Sequence, residues 1–283
     1  MTARTLQSVV PSVATSDGAG VKLRRSIGQR PGAWLDPFLM LDEFFSDNPD
    51  DYLAGFPNHP HRGFETVTYM LDGHMLHKDH LGNHGDLTPG SVQWMTAGRG
   101  IVHSEMPQQT AGRMRGFQLW INLPAKEKMK PASYRDIAPS EIPSVALENG
   151  GSAKIVAGTL NFDGRQHAGP IQGLSTDPLY VDVALPAGAT FEQAIPNDYT
   201  VFLYPYEGSV AVGDKPLAKQ SAGVLSNGDR IVVTAQANDA RFILLAGKPL
   251  REPIVQYGPF VMNTREEIEQ AVRDFQSGAL TRT

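Results

Sequence analysis

His59-Pro60-His61 and, further along, His103-Ser104-Glu105 each set two metal-seeking side chains two residues apart. Side chains at i and i+2 of an extended strand project from the same face, so each pair, when extended, aims both of its members at one point. Brought together, the two pairs offer three imidazoles and a carboxylate to one ion and leave positions for water or substrate. That donor set suits non-haem iron best, with manganese, nickel and copper as alternatives. Magnesium and calcium prefer all-oxygen sites and do not fit. A single H-x-H is a weak signal, but convergent ligands from two separate segments are hard to obtain by accident.

Such pairs need strands to position them. Gly55-Phe56-Pro57-Asn58 reads as a turn leading into His59, and the run from Phe64 to Leu71, rich in Phe, Val, Thr and Tyr, reads as a strand closed by Asp72-Gly73. The second pair follows a strand-like run, Ser91-Val92-Gln93-Trp94-Met95, and the turn formers Gly98 and Gly100. Both pairs are therefore expected where strands meet loops. Glu65, four residues after His61, is a second carboxylate within reach of a turn at Arg62-Gly63, and spacing alone does not choose between Glu65 and Glu105.

Gly55, His59-x-His61, Glu65 and Gly73, followed by Gly100-x-x-His103, resemble the two-part metal motif of the cupins. Longer strings narrow the resemblance to the pirin family: Gly55-Phe56-Pro57, His59-Pro60-His61-Arg62-Gly63-Phe64-Glu65-Thr66-Val67, Gln93-Trp94-Met95-Thr96-Ala97-Gly98-Arg99-Gly100 and Glu105-Met106-Pro107. Flanking matches are Arg24-Arg25-Ser26-Ile27-Gly28 and Gly258-Pro259-Phe260-Val261-Met262-Asn263-Thr264. The resemblance spans nearly the whole chain. It implies an all-β fold of two antiparallel cupin (jelly-roll) β-barrels, with one transition metal ion, Fe(II) before Mn, Ni or Cu, held in the N-terminal barrel by His59, His61, His103 and Glu105. Glu65 then becomes a structural or supporting residue. Asp42, Phe56, Met75 and Gln118 are similar to positions near the metal in relatives and are the candidate substrate-pocket residues.

The resemblance leaves two functional classes. In the first, the protein is a quercetin 2,3-dioxygenase-like enzyme acting with O2 on a small aromatic substrate such as a flavonol, and Glu105 serves as ligand and base. Some bacterial members of the family are quercetinases. In the second, it is a non-catalytic regulator whose metal or oxidation state controls binding to a transcription factor or metabolic enzyme. The complete ligand set and the lack of an interaction tail favour the enzyme.

Composition agrees with two domains: the chain has 283 residues and 41% hydrophobic content, enough for two sizeable cores. Its 28 glycines and 21 prolines favour many short strands with tight turns. With no cysteine, disulfides and thiolate sites are excluded. A net charge of -5 argues against direct nucleic-acid binding, and no apolar run approaches the roughly 18 residues of a membrane span. Without a signal-peptide pattern at Met1–Val10, the expected location is the cytoplasm.

Charge, proline and serine replace strand-like alternation near Lys126–Pro143. We therefore expect an N-terminal metal-binding barrel over 1–130, a linker over 131–143 and a C-terminal barrel over 144–283. Strand candidates are Val21–Arg25, Phe64–Leu71, Ser91–Met95 and Gly116–Leu123 before the linker. After it come Ala153–Gly158, Leu179–Leu185, Thr200–Tyr204, Ser209–Val212, Arg230–Val233 and Arg241–Ala246. The second half has no histidine pair, so its barrel should be metal-free, and its His167 reads as an exposed loop residue. His74, His77, His80 and His84 are irregularly spaced around Gly82–Gly85 and read as an exposed turn. Thr264-x-x-Glu267 is a capping box opening a helix whose apolar stripe, Ile268, Ala271, Val272 and Phe275, should pack on a barrel, with Gly278 as its stop.

Overall fold

Residues 2–282 are described by the computed structural model. They form two compact units, each built from a seven-stranded and a four-stranded antiparallel sheet. This is the cupin architecture, repeated. In one unit the seven strands run in the order Ser133–Ile137, Val92–Thr96, Phe64–Asp72, Met114–Asn122, Phe38–Ser46, Val21–Ile27, Val13–Asp17. The four-stranded sheet is ordered Phe56–His61, Ile101–Pro107, Met75–Asp79, His84–Leu87. Val21, Leu23, Phe44 and Met70 from the larger sheet close over Met75 and Leu87 from the smaller.

The other unit pairs Leu6–Pro11, Ser221–Leu225, Thr200–Glu207, Ala240–Gly247, Leu179–Leu185, Ser152–Ala157 and Ser144–Ala146 into its larger sheet. Its smaller sheet holds Thr190–Ala194, Arg230–Ala235, Ser209–Val212 and Lys215–Ala218. Period-two alternation is plain here: Leu179, Val181 and Val183 stand opposite Ala246, Leu244 and Phe242 in one apolar core.

The units do not follow the expected sequential division. The segment ending at Ser12, with Leu35–Pro37, belongs with Ser140–Pro249, whereas the chain from Leu250 onward belongs with Val13–Trp34 and Phe38–Pro139. Leu6–Pro11 leaves the N-terminal barrel because it pairs with Ser221–Leu225 and buries Leu6 in that core, which covers an otherwise open sheet edge. The expected linker is also partly structured, since Ser133–Ile137 pairs with Val92–Thr96 at a sheet edge.

The C-terminal helix, Arg265–Gln276, begins as read. Thr264 Oγ1 accepts from Glu267 N–H at 3.2 Å, and Glu267 Oε2 accepts from Thr264 N–H at 3.0 Å. Ile268 and Ala271 pack with Phe260, Met262 and Leu280, but Phe275 is 44% exposed and touches Phe260 only edge to face. No helix among the described residues is long and apolar enough to cross a membrane.

The C-terminal segment is clasped to the turn after His61. Gly63 sits at φ +90°, and a Cβ there would stand 2.0 Å from Val261 O, so only glycine fits. Fully buried Lys128 donates from Nζ to Gly63 O at 2.7 Å, Asn122 Oδ1 at 2.6 Å and Val261 O at 3.0 Å. Burial presses its pKa down to about 7, yet three acceptors match the three protons of an ammonium group. Lys128→Met strands all three acceptors, and calorimetric or denaturant unfolding should show a loss of about 2–4 kcal/mol.

Candidate metal centre

His61 ends the Phe56–His61 strand where it meets the Arg62-Gly63 turn, as expected, whereas His103 and Glu105 lie inside the Ile101–Pro107 strand. Phe56–His61 and Ile101–Pro107 are antiparallel neighbours, with His61 opposite Ile101 and His59 directly opposite His103. Opposed residues have Cβ atoms roughly 5 Å apart, so register alone brings three imidazoles together. A bulge between His103 and Glu105 then sets Glu105 opposite Phe56. Ligand-capable nitrogens of His59, His61 and His103 lie within 4.8 Å of one another, and their ring centroids are 4.3 to 4.9 Å apart. Glu105 stands outside this close triad, buried, with Oε1 held by Thr68 Oγ1 at 2.9 Å.

The donor atoms are prepared for a cation. Burial, followed by the neighbouring imidazoles, presses His61 and His103 well below the usual imidazole range, so both rings are neutral and carry a lone pair. His61 Nδ1 and His103 Nε2 are buried without a hydrogen-bond partner, a cost that a metal would remove. The outer side of each ring is engaged. His59 Nδ1 meets Pro57 O at 2.8 Å, the Pro259 carbonyl serves His61, and His103 Nδ1 lies 3.3 and 3.4 Å from the two nitrogens of His77. Outer partners of this kind fix ring orientation and tautomer in metal sites.

A cavity of about 580 Å³ opens over the triad, and Asp42, Phe56, Met75 and Gln118 all line it with His59, His61 and Glu105. Its walls also include Arg25, Phe44, Thr68 and Trp120. Arg25, Asp42, Gln118, Thr68, Gln93 and Asp136 stand opposite one another in successive strands, a polar row across the larger sheet. Arg25 holds Asp42 through both carboxylate oxygens, at 2.8 and 2.7 Å. Burial nevertheless raises Asp42 to about 6, against the lowering effect of Arg25.

Two sequence expectations change. His77 is not in an exposed turn: it is fully buried on the Met75–Asp79 strand, where Met75 and His77 alternate inward, and its ring centroid lies 4.7 Å from that of His103. The alternation was the available signal, obscured by the exposed His80 and His84 around it. His167 lies on the short Arg165–Ala168 strand, half-buried, rather than in an exposed loop. Thr68 carried no local signal, whereas Arg25 lies in a matched string and Trp120 shares a strand face with Gln118 by its two-residue spacing. Glu65 is separated from the cavity because it is three residues from Thr68 on one strand and so points from the opposite face. There it accepts from Thr96 Oγ1 at 2.7 Å and faces Lys130 Nζ at 4.0 Å.

Paired antiparallel sheets in both units, with a histidine triad in one, define a bicupin. Residues 20–121 match the Pirin family model and residues 180–281 match the model of the Pirin C-terminal cupin domain. The chain belongs to the pirin family. It is 55% identical over 268 residues to a Pseudomonas aeruginosa protein provisionally named quercetin 2,3-dioxygenase, covering 94% of each chain. It is 42% identical to the pirin of Homo sapiens, over 93% of this chain and 89% of that one. The solved structure of a quercetin 2,3-dioxygenase from Acinetobacter baumannii has a TM-score of 0.89 and 33% identity, with 99% of both chains covered.

Removing the outer partner of His103 should loosen metal binding without touching a ligand. His77→Phe is expected to weaken Ni(II) affinity about 10-fold by isothermal titration, whereas His74→Ala, His80→Ala and His167→Ala should match the parent. The two carboxylates should also separate, with Glu105→Gln altering metal retention and the metal's absorption spectrum and Glu65→Gln leaving both unchanged.

Proposed function

We propose that the protein is a non-haem iron dioxygenase acting in the cytoplasm on flavonol-type aromatic substrates such as quercetin, with one metal ion per chain. The supporting observation is the pairing of three convergent imidazoles, two of them buried, with a 580 Å³ cavity that mixes aromatic walls and hydrogen-bonding groups. The names of the Pseudomonas aeruginosa and Acinetobacter baumannii proteins favour the same reading.

In this assignment His59, His61, His103 and Glu105 hold the ion, and Fe(II) is the best match to the nitrogen-rich donor set. When bound, the metal supplies Lewis acidity that lowers the pKa of a substrate hydroxyl and one-electron chemistry toward O2. The chain does the rest. On leaving the ion, Glu105 takes the proton released by the substrate hydroxyl. Phe44, Phe56, Met75 and Trp120 give the flat ring apolar faces to stack on, and Asp42 and Gln118 offer oxygen acceptors to its hydroxyls. His61 and His103, shielded from solvent, stay free of competing protons.

Purification under low oxygen should yield one equivalent of transition metal by elemental analysis. Admitting air in the presence of quercetin should then bleach the flavonol absorbance. His103→Ala should bleach it no faster than buffer. Two equivalents of tightly held metal, or a fully iron-loaded protein that leaves quercetin intact, would rule this function out.

A further inference from the structure

Thr68 is 2% exposed and stands between Gln118 and Gln93 in the polar row. Its hydroxyl oxygen is 2.9 Å from Glu105 Oε1 and 2.6 Å from Gln118 Oε1. A hydroxyl has one proton to give and two lone pairs with which to receive. It therefore cannot donate along both contacts to oxygen. Glu105 as a metal ligand is ionised and only accepts, so the Thr68 proton goes to Glu105. The 2.6 Å contact is then filled by Gln118 donating from Nε2, the end-for-end orientation of its amide.

That ordering has two consequences. Oε1 of Glu105 spends one lone pair on Thr68, which favours Oε2 as the oxygen for the ion. The Gln118 carbonyl oxygen turns away from Thr68 toward the cavity that Gln118 lines with Asp42, so this wall presents acceptors and calls for a donor on the ligand.

We propose that Thr68 and Gln118 form a directional hydrogen-bond chain that positions Glu105 for attachment through a single oxygen, and that Gln118 reads a ligand hydroxyl other than the metal-bound one. Both halves rest on the assignment of Glu105 as a metal ligand made above; only the ligand half rests on the proposed flavonol activity. Thr68 and Gln118 are positioning and specificity residues, because the hydroxyl of the first contacts Glu105 and Gln118 and the second reaches Glu105 through Thr68.

The metal half is tested by titrating Ni(II) into the parent, Thr68→Val and Thr68→Ser proteins while following the metal's absorption bands. Valine keeps the packing volume and loses the hydroxyl, whereas serine keeps the hydroxyl. Thr68→Val should bind Ni(II) about 10-fold more weakly with shifted bands, and Thr68→Ser should restore both. If Thr68→Val matches the parent in affinity and spectrum, or if both variants lose affinity equally, the positioning chain is overturned.

The ligand half is tested without oxygen, by binding quercetin and 3-hydroxyflavone to the Ni(II)-loaded parent and Gln118→Leu proteins. The variant should lose about 5-fold for quercetin and nothing for 3-hydroxyflavone, which lacks the additional hydroxyls. Equal effects on the two ligands, or no effect on either, overturn the hydroxyl reading. Flavonol turnover by the parent alongside unaltered Ni(II) binding in Thr68→Val removes the chain and keeps the enzyme. The reverse pattern removes the enzyme and keeps the chain.

Discussion

Three imidazole lone pairs aimed at one another in a solvent-poor site form an arrangement that a folded chain has no reason to build for stability. His61 and His103 each leave a buried nitrogen without a partner, and burial forbids the escape of taking up protons, since both titrate well below the usual range. The rest of the unit that carries the triad makes that arrangement hold. Antiparallel register sets His59 against His103, and Pro57, Pro259 and His77 fix the outer edges of the rings. A triad restrained on both sides loses little freedom when an ion arrives, which is the physical content of preorganisation.

The same constraint explains why the chain closes on itself. Pro259 O reaches the backbone N–H of Arg62 at 3.2 Å, Arg62 O accepts from Val261 N–H at 3.0 Å, and the Arg62 guanidinium binds Asp274 at 2.8 Å. Lys128 ties Gly63 to Val261 from the other side. The turn that separates the His59–His61 strand from Phe64–Asp72 is thus held by a hairpin and a helix from the far end of the sequence. The Gly258-Pro259-Phe260-Val261-Met262-Asn263-Thr264 string belongs to the metal unit for that reason. It is the wall behind His61 as well as the lead into the helix.

Polarity inside the cavity is organised by the sheet. Strand pairing places Arg25, Asp42, Gln118, Thr68, Gln93 and Asp136 in one transverse row, and buried polar groups persist only when partnered. Arg25 satisfies Asp42, Thr68 satisfies Glu105, and Gln93 donates to Asp136 at 2.7 Å. The row meets Glu105 at Thr68, so Gln118, which faces the cavity, is joined to Glu105 through one hydroxyl.

Local chemistry made much of this legible from the residues alone. Period-two pairs announced the histidines, β-branched and aromatic runs announced strands such as Leu179–Leu185, and Thr264-x-x-Glu267 announced the helix. These signals survive because they depend on neighbours within a few residues. Alternation with Met75 could have turned His77 inward, but nothing in its segment or in that of Thr68 specifies which strand they will face: only the pairing of Met75–Asp79 with Ile101–Pro107 and of Phe64–Asp72 with Met114–Asn122 brings them to His103 and Gln118. The termini were misassigned for the same cause, since the open edge beside Ser221–Leu225 that Leu6–Pro11 fills exists only once the sheet has formed. Residue types and short spacing determined which groups could bind a metal, and long-range strand register decided which groups surround it, because hydrogen-bond pairing between distant strands leaves no periodic trace in either one.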